Sequence, residues 1–154
     1  PVRPTKDPGT EWHTDSRYLG KKKLSAGFSY LVIAMFDDFT DDNSASLYVP
    51  KSHTSLKIPA RHAKYEYKSL LGKQGTMVIM DTGILHKSGQ PSHRDRWSMF
   101  SMYGGWFVKP YYRFWDMFEK KQIEKLDKTY KKLLHFNSIP PRHEEERFST
   151  LTKL

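Results

Sequence analysis

His13-Thr14-Asp15, answered by His86 and ten residues later by Arg96, carries the chemistry of this chain. Side chains alternate along a β-strand with a period of two, so His13 and Asp15 share one side if that segment is extended. A histidine arriving from a distant strand completes a set of two imidazoles and one carboxylate. Such a set covers one face of an octahedron and leaves the other open, the arrangement used by non-haem Fe(II) oxygenases. Arg96 adds a planar, permanently charged fork that can clamp a carboxylate. Alone, a His-x-Asp triplet is more often a hydrogen-bonded structural histidine than a ligand, and Arg96 could instead pair with Asp81 or Asp95.

The elements that must position these residues are short strands separated by glycine and proline turns. Residues 1–10 read as an extended lead-in, and Glu11–Tyr18 as a short strand carrying the triplet. Lys21-Lys22-Lys23 with Gly20 marks a turn. Phe28–Phe36 is the strongest strand segment, rich in aromatic and β-branched residues. Asp37-Asp38 and Asp41-Asp42-Asn43-Ser44 form a polar loop, and Ser46–Val49 resumes a strand that stops at Pro50. Ser55–Leu71 reads as a connecting loop with one helical turn. Gly75–Asp81 is a glycine-led apolar strand, and Asp81-Thr82-Gly83 turns the chain toward His86. Arg94–Tyr103 alternates as the last long strand. An antiparallel hairpin between the His86 and Arg96 segments would bring the two side chains together. Ser88 would then share the face of His86, and Ser98 the face of Arg96, with Trp97 pointing away.

Tyr111–Leu134 differs in character: Phe114, Met117 and Phe118, then Ile123, Leu126, Tyr130 and Leu133, recur at helical spacings of three and four. Asn137–Pro141 is a stop and Arg142–Leu154 a charged tail. The expectation is therefore a mainly β, antiparallel sandwich or small barrel over residues 1–110, with a helical C-terminal extension over 111–154 packed on it.

The 154 residues suffice for one core, and 37% hydrophobic content with 14% aromatics is globular composition. No run is long and apolar enough for a transmembrane helix. With no cysteine, disulfides and thiolate metal sites are excluded, and any metal is held by nitrogen and oxygen. That suits a reducing interior and a cytoplasmic setting. A net charge of +9, with lysines clustered at 21–23 and 120–132, favours an anionic small molecule or another anionic partner. The plainer and preferred reading of those lysines is a solvated face that keeps the protein soluble.

Three blocks resemble the phytanoyl-CoA dioxygenase family over roughly residues 9–110: Glu11-Trp12-His13-Thr14-Asp15, Ser46-Leu47-Tyr48-Val49-Pro50-Lys51-Ser52-His53, and Gly75–Met80 through Leu85-His86-Lys87-Ser88-Gly89 to Arg96. The resemblance implies a double-stranded β-helix (a cupin-like jelly roll), Fe(II), and 2-oxoglutarate as co-substrate with O2. On that reading His13, Asp15 and His86 ligate iron. Arg96 binds the distal carboxylate of 2-oxoglutarate, helped by Ser88 and Ser98, with Arg94 as its rival. Decarboxylation gives succinate and CO2 while a small substrate is hydroxylated. The Asp15 carboxylate favours hydroxylation, because related halogenases lack it. Two departures stand out. The motif begins at residue 13, so the fold is expected without the family's N-terminal part. Lys51 replaces the usual glycine after the proline.

His53 is read as structural, His62 and His93 as solvent-facing, and His135 and His143 have no partner visible in sequence. Trp12, Tyr30 and Tyr48 are candidates for the barrel interior. The competing reading is a non-catalytic basic jelly-roll module that binds nucleic acid. The Lys21–Lys23 cluster lacks interleaved aromatics, which argues against base stacking.

Overall fold

A computed structural model of the chain describes residues 11–16, 18–19, 22–23, 27–60, 62–105, 108–110, 112–136, 139 and 145. The lead-in and nearly all of the charged tail, with His143, lie outside them. Two compact units are present, Pro1–Tyr103 and Gly104–Leu154.

The first unit is built from short antiparallel strands. β1 (Tyr18–Leu19) pairs with β2 (Lys22–Lys23). β3 (Ser29–Met35) is the centre of a three-stranded sheet, between β6 (Met77–Asp81) and β8 (Ser98–Gly104). β4 (Leu47–Tyr48) is the centre of a second, between β5 (Lys68–Ser69) and β7 (His86–Lys87). This is the mainly β, cupin-like fold the sequence suggests.

β3 forms where the sequence is densest in branched and aromatic residues, and its period of two sorts them. Ser29, Leu31, Ile33 and Met35 are buried, while Tyr30 is 44% exposed. Opposite it, Val32 pairs with Ile79 and Ala34 with Met77. Leu31, Ile33 and Met35 join Phe39 and Ala45 in one core cluster, against which Leu70, Val78, Met80 and Met102 pack. Trp12, Leu47 and Leu85 make a second cluster with Val49 and Tyr65. Each large apolar side chain so buried contributes on the order of 2 kcal/mol.

Four expectations need correction. The His-x-Asp segment is not a strand: His13 makes a single antiparallel bridge to His86, and the chain bends at Asp15 and Ser16. The helical turn lies earlier, at Ser52–Thr54, and the stretch read as loop contains β5. The strand carrying His86 does not form a hairpin with β8. β7 pairs with β4, and β8 belongs to the other sheet, so the Ser88–Trp97 connection crosses between sheets. β8 begins at Ser98 rather than Arg94 and does not alternate cleanly. It is an edge strand, and the adjacent Met99 and Phe100 are both about half exposed.

In the second unit the periodic stretch breaks into α1 (Phe114–Met117), α2 (Lys120–Lys125) and α3 (Lys128–Leu133). Phe118 and Leu126 are extended, and the acidic residue after each restarts a helix. Glu119 and Gln122 form a capping box for α2, while the Asp127 carboxylate accepts from the Thr129 and Tyr130 amides at 2.7 and 2.9 Å. Among the described residues no helix is long and apolar enough to cross a membrane.

Candidate metal centre

The His13–His86 bridge builds the site from two distant segments. The His13 amide donates to the His86 carbonyl at 3.0 Å and the His86 amide to the His13 carbonyl at 2.9 Å. This reciprocal pairing sets the residues directly opposite one another, with their rings 4.4 Å apart. Asp15 is brought in by the bend that follows, and the bend is pinned where the Ser16 amide donates to the Thr82 carbonyl at 2.9 Å. Thr82 is in turn fully buried and hydrogen-bonded through its hydroxyl to the Ser29 hydroxyl at 2.6 Å. The two side chains expected to share a strand face therefore meet through a bend.

The ligand atoms of His13, Asp15 and His86 lie within 4.8 Å of one another. Asp15 Oδ1 is 3.7 Å from His13 Nε2, and Oδ2 is 3.6 Å from His86 Nε2. The other ring nitrogens settle the tautomers. His13 Nδ1 lies 2.7 Å from the Glu11 carbonyl and His86 Nδ1 lies 3.0 Å from the Ile84 carbonyl. A carbonyl only accepts, so each Nδ1 carries the hydrogen, and in the neutral ring each Nε2 presents a lone pair. Burial pushes the His86 pKa down, opposed by the Ile84 carbonyl and the Asp15 charge and assisted by His13, which favours the neutral form a metal requires. Two imidazole nitrogens and a carboxylate on one small triangle fit a divalent iron.

The segment before His86 is held as firmly. The Leu85 amide donates to Ser52 Oγ, and Ser52 Oγ donates to the Val49 carbonyl, both at 2.7 Å. Lys51 sits in the left-handed region at φ 61°. The turn forms as it would with glycine, at the cost a side chain imposes there. Trp12 packs edge-on to Tyr65, and Lys87 Nζ lies 5.1 Å from the Trp12 ring centre. Trp12 is thus an anchor for the neighbouring His13, and Tyr30 faces outward. Only Tyr48 of the three aromatic candidates lines the interior cavity.

That cavity measures about 320 Å³. Its walls are largely apolar, from Leu31, Ile33, Leu47, Val78 and Met80, with Ser46, Tyr48, His53, Asp81 and His86 as the polar members. His53 thus sits on the cavity wall as well as in the Ser52–Thr54 turn. His62 and His93 are exposed, as expected.

Arg96 is 5% exposed and does not pair with Asp81 or Asp95. Its Nε donates to the Asn43 carbonyl at 3.1 Å and its Nη2 to the Ser44 carbonyl at 3.0 Å. The guanidinium carbon lies 3.6 Å from the centre of the Phe39 ring. Nη1 is buried with no hydrogen-bond partner among the described residues. Burial lowers the Arg96 pKa and the Asp37 carboxylate opposes it; a guanidinium stays charged even so. Arg94, the rival, is exposed and occupied by Asp42 at 2.7 Å. Ser88 follows β7 and Ser98 opens β8; both are half-buried, and Trp97 is 56% exposed. Among the described residues, Arg96, Ser88 and Ser98 are not cavity walls. Arg96 instead grips the chain at Asn43 and Ser44, one residue short of the wall residues Ser46 and Leu47.

Sequence reasoning missed Phe39, Asn43, Ser44, Ser52 and Thr82. The Asp-Asp-Asn-Ser run announced a loop, but which backbone carbonyls it would offer depends on a chain crossing fifty residues away.

The phytanoyl-CoA dioxygenase family model matches residues 1–97. Among solved structures, AviO1 from Streptomyces viridochromogenes Tue57 aligns with a TM-score of 0.54 and 19% identity, over 71% of this chain and 48% of that one. The likeness shows a shared fold, and the chain spans about half the length of AviO1. No curated protein matches the chain. With the family match covering most of the chain and a candidate His-Asp-His metal set beside it, the chain belongs to the phytanoyl-CoA dioxygenase family.

Proposed function

We propose that this chain is an Fe(II)- and 2-oxoglutarate-dependent dioxygenase that hydroxylates a small organic substrate and releases succinate and CO2. The observation that carries the reading is the locked pair of histidines, both with Nε2 turned to the Asp15 carboxylate. His13, Asp15 and His86 would hold the metal. Bound iron supplies the coupling of 2-oxoglutarate decarboxylation to conversion of a substrate C–H into C–OH.

The protein's own contribution is placement. Arg96 binds the distal carboxylate of 2-oxoglutarate through its uncommitted donors, with Ser88 and Ser98 supplying hydroxyls. The buried guanidinium has no carboxylate hydrogen-bonded to it among the described residues, the Asp37 carboxylate acting on it only through space, and a buried charge without a bonded counter-ion is costly. An anionic co-substrate offsets that cost. The apolar cavity walls suit a substrate with a hydrocarbon body and exclude water from the reacting atoms. A reducing cytoplasm is the fitting compartment for Fe(II).

The test is succinate release from 2-oxoglutarate, measured over a panel of small substrates with Fe(II) present. The expected outcome is metal-dependent succinate formation that His13→Ala and Asp15→Ala abolish. Full turnover in either variant would overturn the ligand assignment.

A further inference from the structure

An arginine guanidinium offers two edges that can bond a partner bidentately, and in Arg96 they are unequally used. Nε and Nη2 bond to two successive backbone carbonyls, which spends the side edge of the fork. The remaining edge, Nη1 with the second hydrogen of Nη2, is the one shaped to receive a carboxylate bidentately. Nη1 is buried and has no partner among the described residues. Whether that edge keeps its direction depends on what holds the plane.

We propose that Phe39 is a positioning residue for co-substrate capture: its ring, against the guanidinium of Arg96, and the Asn43–Ser44 carbonyls together fix the plane of Arg96 so that its uncommitted edge takes the distal carboxylate of the co-substrate. The proposal rests on the reading of Arg96 given above. The ring centre lies 3.6 Å from the guanidinium carbon, well inside cation–π range. Phe39 is itself 1% exposed and cannot swing away. Its backbone is fixed by reciprocal bonds with Gly72, at 2.7 Å from the Phe39 amide and 3.1 Å from the Gly72 amide.

The carbonyl platform is equally rigid. The Asn43 side chain donates to the Asp38 carbonyl at 2.6 Å and accepts from the Thr40 amide at 2.9 Å, so the loop cannot rotate. The Ser44 hydroxyl donates to the Gln90 carbonyl. Gly89 packs so tightly on this peptide that a β-carbon there would fall 2.3 Å from the Ala45 carbonyl oxygen. A charged group held on one face by an aromatic ring and along one edge by two carbonyls has a single direction left.

The experiment is calorimetric titration of the Mn(II)-loaded protein with 2-oxoglutarate and with oxalate, which chelates a metal but has no distal carboxylate. Phe39→Leu keeps an apolar side chain and removes the ring. It is expected to weaken 2-oxoglutarate roughly 5- to 20-fold while leaving oxalate unchanged. Arg96→Met is expected to shift the same ratio further, and Met35→Leu, a buried change in the same core cluster, to leave it alone. Equal weakening of both ligands in Phe39→Leu, or no change in either, overturns the positioning role. A ratio unmoved by Arg96→Met overturns the assignment of Arg96 itself, and the proposal with it. Should Phe39→Leu fail to fold, Phe39→Met poses the same question, and a wild-type ratio there overturns the proposal.

Discussion

The two ends of the proposed site are fixed by opposite means. At the metal end each histidine is oriented by a carbonyl two residues earlier in its own segment, Glu11 for His13 and Ile84 for His86. At the arginine end, Arg96 is oriented by carbonyls and an aromatic ring from the Phe39–Ser44 loop, more than fifty residues away. The first arrangement is local and travels with the motif. The second exists only when the two sheets close on one another, because the Ser88–Trp97 connection leaves β7 in one sheet and enters β8 in the other.

The difference predicts how each end fails. Asp15→Ala removes the only carboxylate of the triangle and leaves the two imidazoles in place. Metal affinity is expected to fall at least about a hundredfold, measured by metal titration, since even the groups that merely orient ligands matter at that level. Retained affinity would mean that the carboxylate is not a ligand. Arg96→Met should leave metal affinity intact and weaken 2-oxoglutarate roughly 30-fold, the worth of a charge-assisted hydrogen bond in a buried site. Arg94→Ala, which breaks only an exposed pair with Asp42, should change 2-oxoglutarate affinity less than about twofold. The reverse ranking of the two arginines would place the clamp at Arg94.

Smaller effects separate fold from site. Ser52→Ala leaves the Leu85 amide without its hydroxyl acceptor and is expected to cost about 1–3 kcal/mol of stability by chemical denaturation. Because Leu85 adjoins His86, metal affinity should fall as well, though less than in Asp15→Ala. Lys51→Gly tests the turn from the other direction. With φ at 61°, glycine relieves a left-handed strain, so stability should rise by about 0.5–1 kcal/mol. A loss of stability would show that the lysine side chain contributes something the backbone does not require.

What was legible in the sequence follows the same division. His13, Asp15 and His86 could be picked out as candidate ligands because the blocks that carry them stand together with the Arg96 segment in the pattern of one family, whereas the His-x-Asp triplet alone is a weak signal. β3 could be read from its dense run of branched and aromatic residues. The hairpin expected between the His86 and Arg96 segments was wrong. Ten residues with glycine and proline between them fit a turn within one sheet as well as a crossing between two. Phe39 carried no signal of its own, since a lone phenylalanine in an acidic loop reads as core. Its core membership is real, and the guanidinium on its face is visible only once the crossing is known. Lys51 shows the converse case, a residue of the wrong type for its turn that the surrounding bonds through Ser52 hold in place.

The central claim is that metal and 2-oxoglutarate share one site, the metal held locally and the co-substrate reached by a long-range arginine. Calorimetric titration of 2-oxoglutarate into the protein with and without Mn(II) tests it most directly. The expected result is one equivalent bound only when metal is present, and none in Asp15→Ala. Binding of equal strength in metal-free protein, or no binding to the metal-loaded protein, would contradict it.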